Sequence, residues 1–248
     1  MRYKDRAVVS ISAMLTALKT QVKDGQTVWF RGHGLSTWEL VPSLARNPAH
    51  LLAENAVTKR FMQNATPHLK AAIMREWEWM FLMQHHRAPT RLLDWTESPL
   101  TAMYFAVSEA LHTGNVAAVW CLDPVALNRE ANLSFDFEQE IPAFGNDKNL
   151  ESYLPSRVKD DPTKLQPIAI MGPRNTPRMA AQLGTFTINH RLHTPIEQIG
   201  KQKHVWRWLV PPTAKSNVMR ELSILGVSAL TVFPELDRVA DLSKELLP

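Results

Sequence analysis

The chain has 248 residues, 45% hydrophobic and 21% charged, enough for a sizeable buried core and an ordinary balance for a soluble globular protein. A net charge of +4 permits an anionic partner, and no dense Lys/Arg run of the nucleic-acid-binding kind stands out. Cys121 is the only cysteine, which excludes an internal disulfide and a cysteine-based zinc cluster. No apolar run approaches the roughly 20 residues of a membrane span, and the first residues lack a signal-peptide layout. The expectation is a cytoplasmic protein without membrane contact.

In chain order, residues 8–21 carry Ile11, Met14, Leu15 and Leu18 at helical spacing. Gly25-Gln26 turns the chain into a short β-prone run, 27–30, that ends in Arg31-Gly32-His33-Gly34. Glycine removes side-chain bulk and admits positive φ, so a ligand could approach this backbone beside a guanidinium. A tight turn with a surface arginine accounts for the same residues without a function. Residues 40–46 read as an extended segment and turn, and 51–70 as a helix with Glu54, Lys59 and Arg60 on a solvated face. Residues 71–83 form a further helix, whose Trp77, Trp79, Met80, Phe81 and Met83 read as core.

That helix delivers the chain to Gln84-His85-His86-Arg87, then through Pro89 and Leu92-Leu93 into Asp94-Trp95-Thr96. An apolar helix starts at Pro99, where a missing N–H costs nothing, with Thr96 or Ser98 placed to cap it. So much ionisable chemistry at a strand-to-helix junction points to a functional loop. Residues 116–122, VAAVWCL, read as a central strand, and 127–167 as an irregular surface excursion or lid with acids at Asp136, Glu138 and Glu140. Short strands follow at 168–170 and 185–188, an exposed alternating strand at 204–211, a helix at 215–225 and a final strand at 229–233. Pro234-Glu235 then leads into a last helix. Helices come early and strands late, without regular βαβ alternation. This predicts a single α+β domain over 1–248 with a mixed or antiparallel sheet.

Several blocks together resemble the bacterial FRG-domain family. They are Phe30-Arg31-Gly32; Leu40-Val41-Pro42-Ser43-Leu44 with Arg46; Gln84-His85 with Ala88-Pro89-Thr90-Arg91-Leu92-Leu93-Asp94-Trp95-Thr96; Pro99-Leu100 with Ala102, Tyr104, Phe105 and Ala106; Arg178-Met179 with Gln182, Gly184 and Phe186; and Phe233-Pro234 with Leu236 and Ala240. Three departures touch the rims of these blocks. His33 stands where glutamine is expected, His86-Arg87 where an aromatic and a glycine are expected, and Leu183 where a second glutamine is expected.

The family is similar in outline to ADP-ribosyltransferases, which split NAD. There a first strand ends in an Arg or His that holds the dinucleotide, a second strand runs into an apolar helix, and a later strand presents an acid. The resemblance therefore implies NAD as substrate, with Arg31, His85 and Glu235 as candidate catalytic residues. It implies Arg31, Gly32, His33, Thr90, Arg91, Asp94, Thr96 and Gln182 as the residues that bind it, with Arg178 coming in from the later half. An arginine fork suits a pyrophosphate, and a carboxylate suits the oxocarbenium character of glycosidic cleavage. An acid that merely caps the following helix is the other reading of Glu235. The implied setting is a toxin or phage-defence effector with a protein or nucleic-acid target and an antitoxin or immunity partner.

Two other readings compete. His85, His86, Asp94 and Glu97 could serve a metal-dependent hydrolase or nuclease, although adjacent histidines on an extended segment face opposite ways and match no zinc spacing. Arg31, Arg87 and Arg91 could equally serve a non-catalytic nucleotide- or nucleic-acid-binding module. Arg91 and Asp94 are also expected to pair and brace their turn.

Overall fold

The computed structural model describes residues 1–69, 71–131, 141–158, 165–191 and 194–244. The chain runs β1 (Arg6–Ala7), α1 (Ile11–Gln21), β2 (Trp29–His33), α2 (Pro48–Ala65), α3 (Glu76–His85), β3 (Leu92–Thr96), α4 (Pro99–Val107) and β4 (Ala117–Leu122). It continues through α5 (Pro124–Glu130), α6 (Pro155–Val158), β5 (Ile168–Ile170), α7 (Pro177–Ala181), β6 (Gly184–Ile188), β7 (Val205–Val210), α8 (Lys215–Ile224), α9 (Ala229–Val232) and α10 (Leu236–Lys244). One local device recurs at helix starts. Asn47, Ser98, Asp123 and Thr176 each accept a hydrogen bond from a backbone N–H of the first turn, and each is followed by a proline. The cap satisfies one otherwise orphaned donor, and the proline presets φ where it has no N–H to lose.

The seven strands form one mixed sheet in the order β1-β7-β4-β2-β3-β6-β5, which establishes an α+β architecture. Only β1 and β7 run parallel; the other pairs are antiparallel. Pairing along the sheet is uneven. β2 pairs with β4 from Trp29↔Leu122 to His33↔Ala118, and β3 with β6 from Leu92↔Ile188 to Thr96↔Gly184. β2 and β3 themselves meet at one pair, Phe30↔Thr96. The sheet is thus two well-laddered halves that touch and then part.

Paired residues share a face, so this pattern assigns the cores. One face of the β7-β4-β2 half packs Phe30, Val119, Cys121, Trp206 and Trp208 against α1, α4 and α8 through Met14, Met103, Ala106, Val218 and Leu222. The same face of the β3-β6-β5 half packs Leu92, Ile168, Phe186 and Ile188 against Met80 and Phe81 of α3, Met179 of α7, and Phe144, Leu150 and Tyr153. The opposite face buries Trp29, Leu93, Trp95, Trp120 and Val205 under Leu40, Leu127, Ile196 and Ile199.

Several expectations change here. Residues 229–233 are no strand: Ser228 and Thr231 exchange capping hydrogen bonds that wind Ala229–Val232 into a short helix despite its β-prone residues. Residues 204–211 are interior and not exposed, because β1 covers the outer side of β7 and Trp206, Trp208 and Val210 face the first core. Among the described residues helices and strands are interspersed from β1 to β7, and three helices, α8–α10, close the chain. Within 127–167, Phe144, Leu150 and Tyr153 are core residues and not surface cover. Asp136, Glu138 and Glu140 lie outside the described residues.

Gly32 has a packing role that its sequence context did not reveal. It has no positive φ, and neither does Gly34. A Cβ on Gly32 would sit 2.0 Å from the Ala102 carbonyl oxygen and 2.6 Å from the Ala106 nitrogen, both backbone atoms of α4. The missing side chain therefore lets a helix lie directly on the strand. Gly32→Ala is expected to destabilise the fold by about 1–3 kcal/mol or more, since backbone must move to admit one methyl; a urea midpoint equal to wild type would refute this.

Candidate functional site

The gap between β2 and β3 is a cleft of about 340 Å³. The first core contributes Phe30 and Phe105 to its wall, and the third contributes Phe81, Leu92, Met179 and Phe186. Between them lie Arg31, Arg46, Gln84, His85, Arg87, Asp94, Thr96, Arg178 and Gln182. A second chamber of about 610 Å³ adjoins it, and Arg31, Gly32, Arg46 and Phe105 line both.

Arg31 spans the gap. Its Nε donates to Nε2 of His33 at 2.9 Å, and a terminal nitrogen donates to the Asp94 carbonyl at 2.6 Å. That carbonyl belongs to the strand edge that β2 leaves unpaired, so the guanidinium replaces a missing ladder bond. Two of its five N–H donors are used in this way. Burial, and then the neighbouring Arg46, pull the Arg31 guanidinium down from its ordinary pKa against the pull of Asp94. His33 is buried, and its Nε2 accepts from Arg31, which assigns the proton to Nδ1. Burial, and then the Arg31 charge, push its pKa down to about 3, with Trp38 backbone acting weakly the other way. His33 is therefore a neutral acceptor that orients Arg31.

Asp94 is exposed to solvent through the cleft, yet the protein around it strips part of its hydration. That desolvation raises its pKa, with Arg31, a hydrogen bond from Gln84 and Arg178 pulling back. Gln84 Nε2 donates to Asp94 Oδ2 at 2.6 Å, and the Thr90 hydroxyl donates to Gln84 Oε1. Thr90 is thus a buried support for Gln84 and does not line the cleft. Thr96 lines it, but its hydroxyl donates to the Gln182 carbonyl at 2.5 Å, and Gln182 Nε2 donates to the Val232 carbonyl at 3.0 Å. His85 lines the cleft, with its pKa lowered by burial and then by His86 and Arg178. Glu235 stands outside the lining; its Oε1 lies 3.7 Å from Arg178, whose guanidinium also lies over Phe233.

Arg91 does not reach the cleft and does not pair with Asp94. It is buried, clamped by both carboxylate oxygens of Glu54 and by the carbonyls of Asn189 and His190. Glu54 accordingly lies inside and not on a solvated face. A buried charge needs that full set of partners. Arg91 ties α2 to the strand pair β3–β6. None of the described residues in 127–167 lines either chamber. Among the described residues no three His, Cys, Asp or Glu side chains gather in a metal-holding group.

Residues that sequence reading left out of the site are Arg46, Phe105 and Trp38. The block around Leu40 contains Arg46 but shows nothing that points it to the cleft. Arg87 takes φ +60°, closing α3 with Ala88 N–H donating to the Met83 carbonyl, at the position where the resemblance expects glycine. A non-glycine there costs about 1–2 kcal/mol. Arg87→Gly is expected to raise stability by about 1 kcal/mol and to weaken binding of inorganic pyrophosphate, checked by urea unfolding and calorimetry. Glutamine at His33 keeps an acceptor for Arg31 but cannot titrate. A folded His pKa depressed below its ordinary value contributes stability that is complete above pH 6.5 and lost as pH falls toward about 3. His33→Gln should therefore lose less stability than wild type between neutral pH and about pH 5; equal losses would refute the assignment.

A family model described as the FRG domain matches residues 26–115, from the turn before β2 to the turn before β4. Comparison with curated proteins and with solved structures finds no match. The matched stretch holds Arg31, Arg46, Arg87, Asp94 and Phe105, while Arg178 and Gln182 reach the same cleft from beyond it. Residues 26–115 thus match the FRG domain, and that stretch supplies the two strands whose parting makes the cleft.

Proposed function

We propose that the cleft binds a phosphate-bearing nucleotide and that the protein uses NAD as an ADP-ribosyl donor, in the manner of ADP-ribosyltransferases. The observation that carries this is the convergence of Arg31, Arg46, Arg87 and Arg178 on one cleft, with Asp94 the one carboxylate among its described lining residues. Arg46 depresses Arg31 and Arg87 depresses Arg178, so these cations repel one another as they stand. A pyrophosphate relieves that repulsion and offers oxygens for charge-assisted hydrogen bonds. Further support comes from order: β2 and β3, matching the first strand and the strand-to-helix unit of the resemblance, lie side by side.

In this reading the arginines fix the pyrophosphate, and the ribosyl carbon–nicotinamide bond breaks with nicotinamide leaving with the electron pair. The oxocarbenium character at that carbon is stabilised by a carboxylate, and an acceptor nucleophile forms the new bond and gives up its proton. Asp94 takes the carboxylate role, since Glu235 stands at the rim as the partner of Arg178. His85, held toward its neutral form, is placed to receive the proton. The setting of a toxin or phage-defence effector with an immunity partner rests on the resemblance alone. The metal-dependent alternative gains no support from the side chains around His85. The non-catalytic binding module shares these arginines and is separated by turnover.

The test is nicotinamide release from NAD by the purified chain with a cell lysate as acceptor source. Asp94→Asn should lower the rate by about 10²–10³, while Glu235→Gln stays within a few-fold. Ionised Asp94 is required and its pKa is raised, so the rate should fall on acidification at a pH above the ordinary aspartate value of 3.8, and Asp94→Asn should lack that limb. Nucleotide binding without nicotinamide release would leave the binding module. No nucleotide binding by folded wild type would remove the reading.

A further inference from the structure

The second chamber is not a continuation of the arginine cleft in chemical terms. Its walls are Arg31–Gly34 at the end of β2, the loop through Thr37, Trp38 and Glu39, and Phe105 with Glu109. Two carboxylates and two guanidinium groups line it, so its formal charge is balanced, unlike the cationic cleft beside it. Trp38 lines this chamber and is 40% exposed, although it makes T-shaped contacts with two rings, His33 at 5.8 Å and His112 at 4.9 Å. A large aromatic ring fixed in place and left open in a concave site is a stacking platform for another flat ring. The walls are braced from behind: Lys215 Nζ donates to the carbonyls of Gly34 at 3.3 Å and His112 at 2.5 Å, tying the β2 end to the turn that follows Glu109.

We propose that this chamber is a base pocket that takes a guanine ring, stacked on Trp38, with the phosphate of its nucleotide at Arg31 and Arg46. This rests on reading the cleft as a nucleotide site; a guanine nucleotide held here shares Arg31 and Arg46 with NAD and competes with it, and the adenine of NAD lies outside this chamber. The preference follows from the acceptors. Glu39 and Glu109 can only accept hydrogen bonds when ionised. Guanine presents adjacent N1–H and N2–H donors on one edge, which a carboxylate takes in pairs, whereas adenine presents a bare N1 acceptor there and meets repulsion. A cationic ligand would satisfy the carboxylates but oppose Arg31 and Arg46. A neutral ring carrying a phosphate satisfies both signs of charge. The junction supports the same placement, because Arg31 and Arg46 line both chambers and a phosphate there leaves its base on the Trp38 side.

The test is calorimetric titration of the full chain with GMP, AMP and inorganic pyrophosphate. GMP is expected to bind about tenfold more tightly than AMP, and Glu39→Gln with Glu109→Gln should bring the two within a few-fold. Trp38→Ala should weaken GMP by about tenfold and leave pyrophosphate unchanged, with Trp38→Phe restoring GMP. A short single-stranded oligonucleotide with one guanine separates the sources: tighter binding than GMP assigns the base to a strand, weaker binding to a free nucleotide. Pyrophosphate binding with equal GMP and AMP affinities would overturn this inference while leaving the nucleotide cleft standing. Failure of pyrophosphate, GMP and AMP alike would overturn both.

Discussion

The contact on which the structure turns is the single pairing of Phe30 with Thr96 between β2 and β3. On either side of it the sheet is fully laddered, so each half is stable through its own hydrogen bonds and its own core. Beyond it, the two strands carry backbone groups that a continuous sheet would pair. Arg31 takes one of them, the Asp94 carbonyl at the open edge of β3, and becomes fixed across the opening. The feature that opens the cleft therefore also places its first cation. Thr96 does similar work at the hinge pair, holding the Gln182 carbonyl and accepting from Ser98, so β3, the turn before β6 and the start of α4 meet at one hydroxyl.

The arginines divide by what surrounds them. Arg91 has two carboxylate oxygens and two carbonyls, which take four of its five N–H donors in the interior, away from any ligand in the cleft. Arg178 has a distant carboxylate and an aromatic face. Arg46 and Arg87 have no carboxylate within ion-pair distance among the described residues. Arg87 is further held in a backbone conformation that favours glycine. Guanidinium groups kept underpaired, and in one case at a conformational cost, add little to stability as they stand, and they are the feature on which the proposed phosphate site draws. Arg87 and Arg91 lie four residues apart in one motif, yet one serves the fold and the other faces the cleft.

Much of the architecture was legible because it rests on local signals. Within the apolar run 116–122, Ala117–Leu122 is a fully buried central strand, and the helix led by Pro99 starts at its Ser98 cap. Arg31, Asp94, His85 and Gln182, which the motif blocks group in sequence, line one cleft. What was not legible depends on contacts distant in sequence. Nothing near Arg91 indicates that Glu54, on another helix, faces it. Nothing near residues 229–233 outweighs their β-prone composition except the reciprocal cap of Ser228 and Thr231. No local signal marks Trp38, whose place at the surface depends on the rings of His33 and His112.

Fold and site are coupled most closely at Gly32. Its missing side chain lets α4 lie on β2, with the Phe105 Cβ within 2.9 Å of where a glycine substituent would stand. Phe105 then lines both chambers and packs edge-on against Phe233 at 5.6 Å. Phe233 in turn lies under Arg178. A contact chain thus runs from a strand glycine, through one helix, to a cleft cation supplied by the far half of the chain. Any change that lifts α4 from β2 moves the aromatic partition between the chambers and the platform under Arg178 together. The glycine beside Arg31 is in this sense a site residue that touches the ligand space mainly through what it allows to pack behind it.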